Sequence, residues 1–178
     1  MRWITFLILL FLMSALQGSH LGAFGHGGND HWPAIEYLPL LAVFYALFGA
    51  ETAGPMAAIM CGMMYDIVND EFLGTNMIPL ALVAYLLVRV RLSIFREHAL
   101  SQAILTLLAI LAYGLAAVVF RRLIGAPLHG DAMLPHLGQL AGNGLYTAVV
   151  APVVFWFLFR FKHLLGFTPH GPRTRGHG

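Results

Sequence analysis

The stretch CGMMYDIVNDEFLGTN, residues 61–76, places an aspartate at the end of an apolar run and follows it with a turn sequence. No charged residue occurs between Gly54 and Tyr65, and Asp66 comes next. A charge near hydrocarbon is costly unless it is paired, hydrated or protonated. The groups that accommodate this carboxylate therefore decide how the two flanking apolar segments pack.

The chain contains few charged residues. Of 178 residues, 59% are hydrophobic and only 10% are charged, and the mean hydropathy is +0.77. A soluble domain carries about 25% charged residues, so this chain has too little polar surface to face water on all sides. The single cysteine, Cys61, lies in an apolar run, which excludes an intramolecular disulfide framework and a cysteine-based metal site.

Six apolar segments predict an all-α, polytopic bundle of about six transmembrane helices. They are residues 3–16, 35–50, 54–68, 77–90, 99–120 and 140–161. A membrane-spanning helix needs about 20 apolar residues, a length that the last two segments reach. The first four need interfacial flanks such as Trp32, Tyr37 and Tyr65 to complete a span. We expect residues 1–168 to form one transmembrane domain and residues 169–178 to form a disordered basic cytoplasmic tail.

The first apolar segment has two interpretations. Arg2 precedes a short apolar run, as in a signal peptide. The sequence MSALQG that follows lacks a small-x-small cleavage site, because Leu16 or Gln17 would occupy the critical position. We therefore expect an uncleaved first helix.

The positions of the basic residues predict that both termini are cytoplasmic. With six spans, eight of the ten Lys and Arg residues fall on the inner side: Arg2, Arg89, Arg91, Arg96, Arg160, Lys162, Arg173 and Arg175. Positive residues favour the cytoplasmic side of a membrane protein. The group from Arg89 to Arg96 is expected to be a topology signal, with binding to anionic lipid or a cytoplasmic partner as the alternative.

One stripe on the third segment combines small and acidic residues at steps of four. It consists of Gly54, Ala58, Gly62, Asp66 and Asp70. Residues four apart lie on one face of an α-helix, and small residues there allow a neighbouring helix to approach closely. We expect the stripe to pack inside the protein, with a dimer face as the alternative.

The turn after the third helix is predicted to hold Asp66. Gly74 permits a tight turn, and Thr75 or Asn76 can cap the fourth helix. The exposed N–H groups that begin this helix can then donate to the carboxylate. This favours a structural role for Asp66 in closing the hairpin. A partner contact and a proton or ligand site are the alternatives.

Two arginines lie on the outer side, against the positive-inside trend. Arg121 and Arg122 end the fifth segment, on the side where Asp66 and Asp70 end the third. A guanidinium can bind a carboxylate through two parallel hydrogen bonds and keeps its charge. An ion pair between one of these acids and one of these arginines is therefore a further prediction.

The pattern GMMYDIVNDEFLGTNMIPLALVAYLLVRVR, residues 62–91, resembles the signature of the bacterial rod shape-determining MreD family. The upstream sequence IEYLPLLAVFYALFGAETAG is similar to the second helix of that family. The residues that fit the family pattern are Gly62, Asp66, Gly74, Tyr85, Arg89 and Arg91, with Pro39 and Tyr45 in the second helix.

The resemblance implies a non-enzymatic protein of the bacterial inner membrane, without a cofactor. It would act as a scaffold of the cell-wall elongation complex, which controls cell shape through peptidoglycan synthesis. The implied partners are a bitopic MreC-like protein, a peptidoglycan transpeptidase and glycosyltransferase, the actin-like MreB and membrane lipids. The fold would be similar to the substrate-binding subunit of energy-coupling-factor transporters.

Other functions remain as alternatives. The sequence has no Gly-x-Ser-x-Gly, His-Glu-x-x-His or phosphate-binding loop motif, which argues against catalysis. The spacing of His20, His26 and His31 fits no closed zinc signature, so a solvated loop is favoured over a metal site. The main competing function is a vitamin-binding importer subunit. Its pocket would use the polar residues inside the spans: Asp66, Gln139, Asn143, Tyr113 and Tyr146.

Overall fold

Six α-helices and no β-strand make up the described part of the chain. The computed structural model describes residues 3–18, 35–69, 72–90, 99–125 and 133–160. The helices are α1 (Trp3–Gly18), α2 (Tyr37–Phe48), α3 (Ala53–Val68), α4 (Met77–Val90), α5 (Ala99–Leu123) and α6 (Met133–Arg160). The predicted all-α class is confirmed, and α4 has the predicted bounds.

Only the last two of these helices are long and apolar enough to cross a membrane by length and composition. The qualifying stretches are Ser101–Leu123 and Ala141–Arg160. Helix α6 begins seven residues before the apolar segment predicted from Leu140. Pro135 lies in its first turn, where the missing N–H costs little. The helix therefore extends through a more polar stretch that hydropathy alone does not include.

Helix α2 is the centre of the bundle. It packs against each of the other five helices. All ten residues from Leu38 to Leu47 are buried, as expected for a helix that is apolar on every side.

Aromatic rings join α2 to helices on two sides. The ring centroids of Phe6 in α1 and Tyr45 in α2 are 5.0 Å apart, in an edge-to-face arrangement. Those of Phe48 in α2 and Phe159 in α6 are 4.6 Å apart. The last turns of α2 and α6 therefore lie at the same end of the bundle. We call this the basic end, because Arg89 and Arg160 are in the last turns of α4 and α6, and we call the opposite end, at Gly74, the hairpin end.

Two glycines of α3 allow neighbouring helices to approach closely. A Cβ atom on Gly54 would lie 2.9 Å from the Cα atom of Ala46 in α2 and 2.9 Å from a methyl group of Val88 in α4. A Cβ atom on Gly62 would collide with the Cα atom of Met77 and lie 2.9 Å from its nitrogen. Ala58, between them on the stripe, is fully buried. In the described part of the bundle, this face of α3 is thus in contact with other helices of the same chain.

Several residues of the sequence predictions lie outside the described residues. They are Arg2, Trp32, Asp70, Arg91, Arg96, Lys162, the histidines of the loop before α2, and the tail 169–178. Their assigned roles stay predictions.

We predict opposite effects of alanine at two helical glycines. Gly62→Ala should lower the free energy of unfolding by about 1–3 kcal/mol, because the backbone of α4 must move to admit the methyl group. Gly138→Ala in α6, where no atom lies within 4 Å of the added Cβ, should be neutral or stabilising by up to about 1 kcal/mol. Unfolding in mixed detergent measures both. Equal effects of the two substitutions would contradict the close packing of α3 on α4.

Candidate functional site

The Asp66 carboxylate binds the turn between α3 and α4. Its Oδ2 accepts a hydrogen bond from the backbone N–H of Gly74 at 2.8 Å. Its Oδ1 accepts one from the backbone N–H of Asn76 at 2.9 Å and another from the side-chain amide of Asn76 at 2.8 Å. The side chain is completely buried. Three donors thus compensate the loss of water, as the sequence predicts for N–H groups at the start of α4.

Local backbone geometry brings these donors to the carboxylate. Gly74 has φ +103°, a conformation that favours glycine over residues with a side chain. The Thr75 N–H donates to the Phe72 carbonyl at 3.1 Å, which closes the turn. The Leu80 N–H donates to the Asn76 carbonyl at 3.0 Å, so Asn76 occupies the position immediately before the first full turn of α4.

Asn76 also connects the hairpin to α5. The Tyr113 hydroxyl donates a hydrogen bond to Asn76 Oδ1 at 2.7 Å. Both side chains are buried, and the Tyr113 ring packs edge-to-face against Tyr65 of α3. We call Asp66, Gly74, Asn76 and Tyr113 the Asp66 cluster. It joins α3, α4 and α5 through one chain of buried hydrogen bonds.

Asp66 does not pair with the arginines of α5. No hydrogen bond or ion pair between described residues joins it to Arg121 or Arg122, so the predicted pairing is wrong for Asp66. The reason is position along the helix. Tyr113 lies beside Asn76, and Arg121 comes eight residues later, about 12 Å further along α5 at about 1.5 Å per residue. Pairing of these arginines with Asp70 stays a prediction.

A second buried polar contact joins α2 to α6. The Glu36 N–H donates to Thr147 Oγ1 at 3.1 Å, and Asn143 Nδ2 donates to Glu36 Oε1 at 3.3 Å. Within the described part of the chain, Glu36 Oε2 has no hydrogen-bond partner. We call Glu36, Asn143 and Thr147 the Glu36 cluster. Beside it, the Tyr37 N–H donates to Gln17 Oε1 at 2.9 Å, which connects α1 to the start of α2.

Sequence reasoning missed Glu36 and Thr147. The signal for them is weak, since Glu36 begins an apolar segment, where an acid suggests only a helix end. Asn143 and Thr147 are four residues apart on α6 and so share one face. That spacing is the sequence feature that points to a polar contact there.

The comparisons with known proteins identify the family. The model of the family described as rod shape-determining protein MreD matches residues 1–161. The chain belongs to the MreD family. It is therefore a member of a family of membrane proteins that determine rod shape. Neither the curated proteins nor the solved structures gave a match.

Some residues that match the MreD pattern lie in buried contacts, and others lie on the surface. Pro39 and Tyr45 are buried in α2, and Gly62 and Asp66 form the close contact and the polar contact between α3 and α4. Arg89 instead lies exposed at the basic end. Its guanidinium donates to the Tyr85 hydroxyl at 3.0 Å and lies 5.3 Å from the centre of the Tyr85 ring. The described residues of the pattern thus include the two contacts between α3 and α4, made by Gly62 and Asp66, and an exposed cation–π pair of Arg89 with Tyr85.

The five polar residues expected in an importer pocket have different surroundings. Asp66 and Tyr113 belong to the Asp66 cluster, while Asn143 belongs to the Glu36 cluster. Tyr146 is 41% exposed. The side chain of Gln139 lies outside the described residues.

We predict that the Tyr113 hydroxyl stabilises the fold through Asn76. Tyr113→Phe should lower the free energy of unfolding by about 1–3 kcal/mol, because it leaves a buried acceptor without this donor. Tyr146→Phe, the matched control at an exposed position, should change it by less than about 0.5 kcal/mol. In an Asn76→Ala background, Tyr113→Phe should cost clearly less. Purely additive losses would contradict the connection between α5 and the hairpin.

Proposed function

We propose that this protein is a non-enzymatic scaffold of the bacterial cell-wall elongation complex. The observation that carries the proposal is the match of residues 1–161 to a rod shape-determining family. The buried polar groups around Asp66 support it, because both carboxylate oxygens accept hydrogen bonds from the same chain. In this role Asp66 closes the hairpin from inside the bundle. The outer surface of the bundle is then available to partners.

The proposed arrangement is six spans in the inner membrane with both termini cytoplasmic. The eight-to-two distribution of Lys and Arg supports this orientation, with the basic end on the cytoplasmic side. The basic end then presents Arg89 to the cytoplasmic lipid surface or to an actin-like MreB partner. The hairpin end, with Gly74, faces outward.

Exposed apolar helix faces are the proposed surfaces for membrane partners. On α1 the exposed side chains include Ile4, Ile8 and Phe11, and on α6 they include Val153 and Trp156. Apolar faces of this kind suit lipid or the membrane helix of a bitopic MreC-like protein. The peptidoglycan transpeptidase and glycosyltransferase would join the complex through such contacts. A vitamin-binding importer subunit is less well supported, because both carboxylate oxygens of Asp66 already accept hydrogen bonds from the hairpin and Tyr146 is 41% exposed.

We predict that the chain forms a complex with an MreC-like protein of the same bacterium. The two proteins should co-purify in mild detergent when the chain carries an affinity tag, because apolar helix faces remain exposed on the isolated bundle. An unrelated tagged polytopic membrane protein of similar size is the control. Binding of a water-soluble vitamin below micromolar concentration, without co-purification of the MreC-like protein, would favour the importer function instead.

A further inference from the structure

Four helices of the bundle are shorter than a bilayer is thick. Helices α2, α3 and α4 have 12, 16 and 14 residues. At about 1.5 Å per residue they are about 18, 24 and 21 Å long, against a hydrocarbon core of about 30 Å. Helix α1 has 16 residues, whereas α5 has 25 and is about 38 Å long. The bundle therefore combines short helices with a helix that exceeds the hydrocarbon thickness.

The short helix α4 and the long helix α5 differ in extent at the hairpin end, where α5 continues beyond the start of α4. At the basic end, Phe48 and Phe159 are in ring contact in the last turns of α2 and α6. At the other end, Asn76 at the start of α4 bonds to Tyr113, and α5 continues through residues 114–123. Those ten residues extend about 15 Å beyond the contact. The polar start of α4 thus lies at the level of the middle of α5.

The exposed apolar surfaces differ in the same way. On α3 they extend from Met56 to Ile67, between the exposed polar residues Glu51 and Asn69. On α5 they extend from Ile104 to Leu123, about 28 Å. A long helix can tilt to fit a bilayer, but a short one cannot lengthen. The bilayer must then thin beside it, or the polar ends enter hydrocarbon.

We propose that the face formed by α3 and α4 binds a locally thinned bilayer, and so prefers phospholipids with short acyl chains. Beside α5 the bilayer keeps its ordinary thickness. The outer leaflet descends towards the α3–α4 turn, where Phe72 and Leu73 are exposed. This places the buried carboxylate of Asp66 near the thinned interface. The inference rests on the proposed six-span arrangement.

Two engineered tryptophans at matched depth test this proposal. Leu82 in α4 and Leu108 in α5 lie about two turns from the basic end of their helices, and they are 53% and 58% exposed. Leu82→Trp and Leu108→Trp are made separately in a chain whose Trp3, Trp32 and Trp156 are replaced by Phe. Each protein is reconstituted in mixtures of dioleoyl phosphatidylcholine with brominated dimyristoleoyl or brominated dierucoyl phosphatidylcholine. Quenching of tryptophan fluorescence then reports which lipid lies beside each face.

At Leu82→Trp the short-chain lipid should bind at least about threefold more strongly than the long-chain lipid, since mismatch has a cost for each ångström. At Leu108→Trp the preference should be absent or reversed. Equal preference at both positions would overturn the thinning proposal alone. If Leu82→Trp is quenched by no lipid while Leu108→Trp is quenched, the six-span arrangement fails as well.

A second measurement uses the unmodified chain, so that it does not depend on the folding of the tryptophan variants. Its unfolding temperature in dimyristoleoyl nanodiscs should exceed that in dierucoyl nanodiscs. A higher unfolding temperature in the long-chain lipid would overturn the proposal.

Discussion

The packing of this bundle depends on one buried carboxylate and the N–H groups that surround it. Asp66 is completely buried on α3, and the α3–α4 turn supplies three hydrogen-bond donors within 2.9 Å of its oxygens. A buried charge without such donors would favour an open hairpin, because solvation of the carboxylate would then outweigh the packing of α3 on α4. Since the donors include both the backbone and the side chain of Asn76, the same interaction fixes the start of α4. Tyr113 then positions α5 relative to that start.

The close approach of α3 and α4 and the hydrogen bonds of Asp66 require each other. Gly62 has no room for a side chain beside Met77, and this contact keeps the first residues of α4 within reach of the carboxylate. The resulting hairpin is short, so the polar end of α4 lies beside the middle of α5. The interior around α2 is closely packed, and the bundle exposes apolar faces of unequal height. A closely packed interior suits a protein whose proposed role is to hold other membrane proteins in place.

The elements that sequence could predict are those governed by neighbouring residues. Hydropathy gave the bounds of α4 and the all-α class, and the glycine turn with its capping residues indicated how Asp66 would be held. The start of α6 was missed, because a helix can extend through polar residues that no hydropathy window includes. Glu36 and Thr147 meet across 111 positions of the sequence, and nothing local indicates that contact. The pairing of Asp66 with Arg121 failed because charge complementarity gives no information on depth along α5.

Hydrogen exchange at the turn tests the central role of Asp66 most directly. Asp66→Asn keeps the shape of the side chain but replaces one accepting oxygen by an NH₂ group that faces N–H donors. Loss of a charge-assisted hydrogen bond worth about 1.5–3 kcal/mol corresponds to roughly tenfold to hundredfold faster exchange at the amides of Gly74 and Asn76. Glu51→Gln, the same chemical change at an exposed site near the other end of α3, should leave exchange at these amides as in the wild type. Unchanged protection at Gly74 and Asn76 in a folded Asp66→Asn protein would contradict the account.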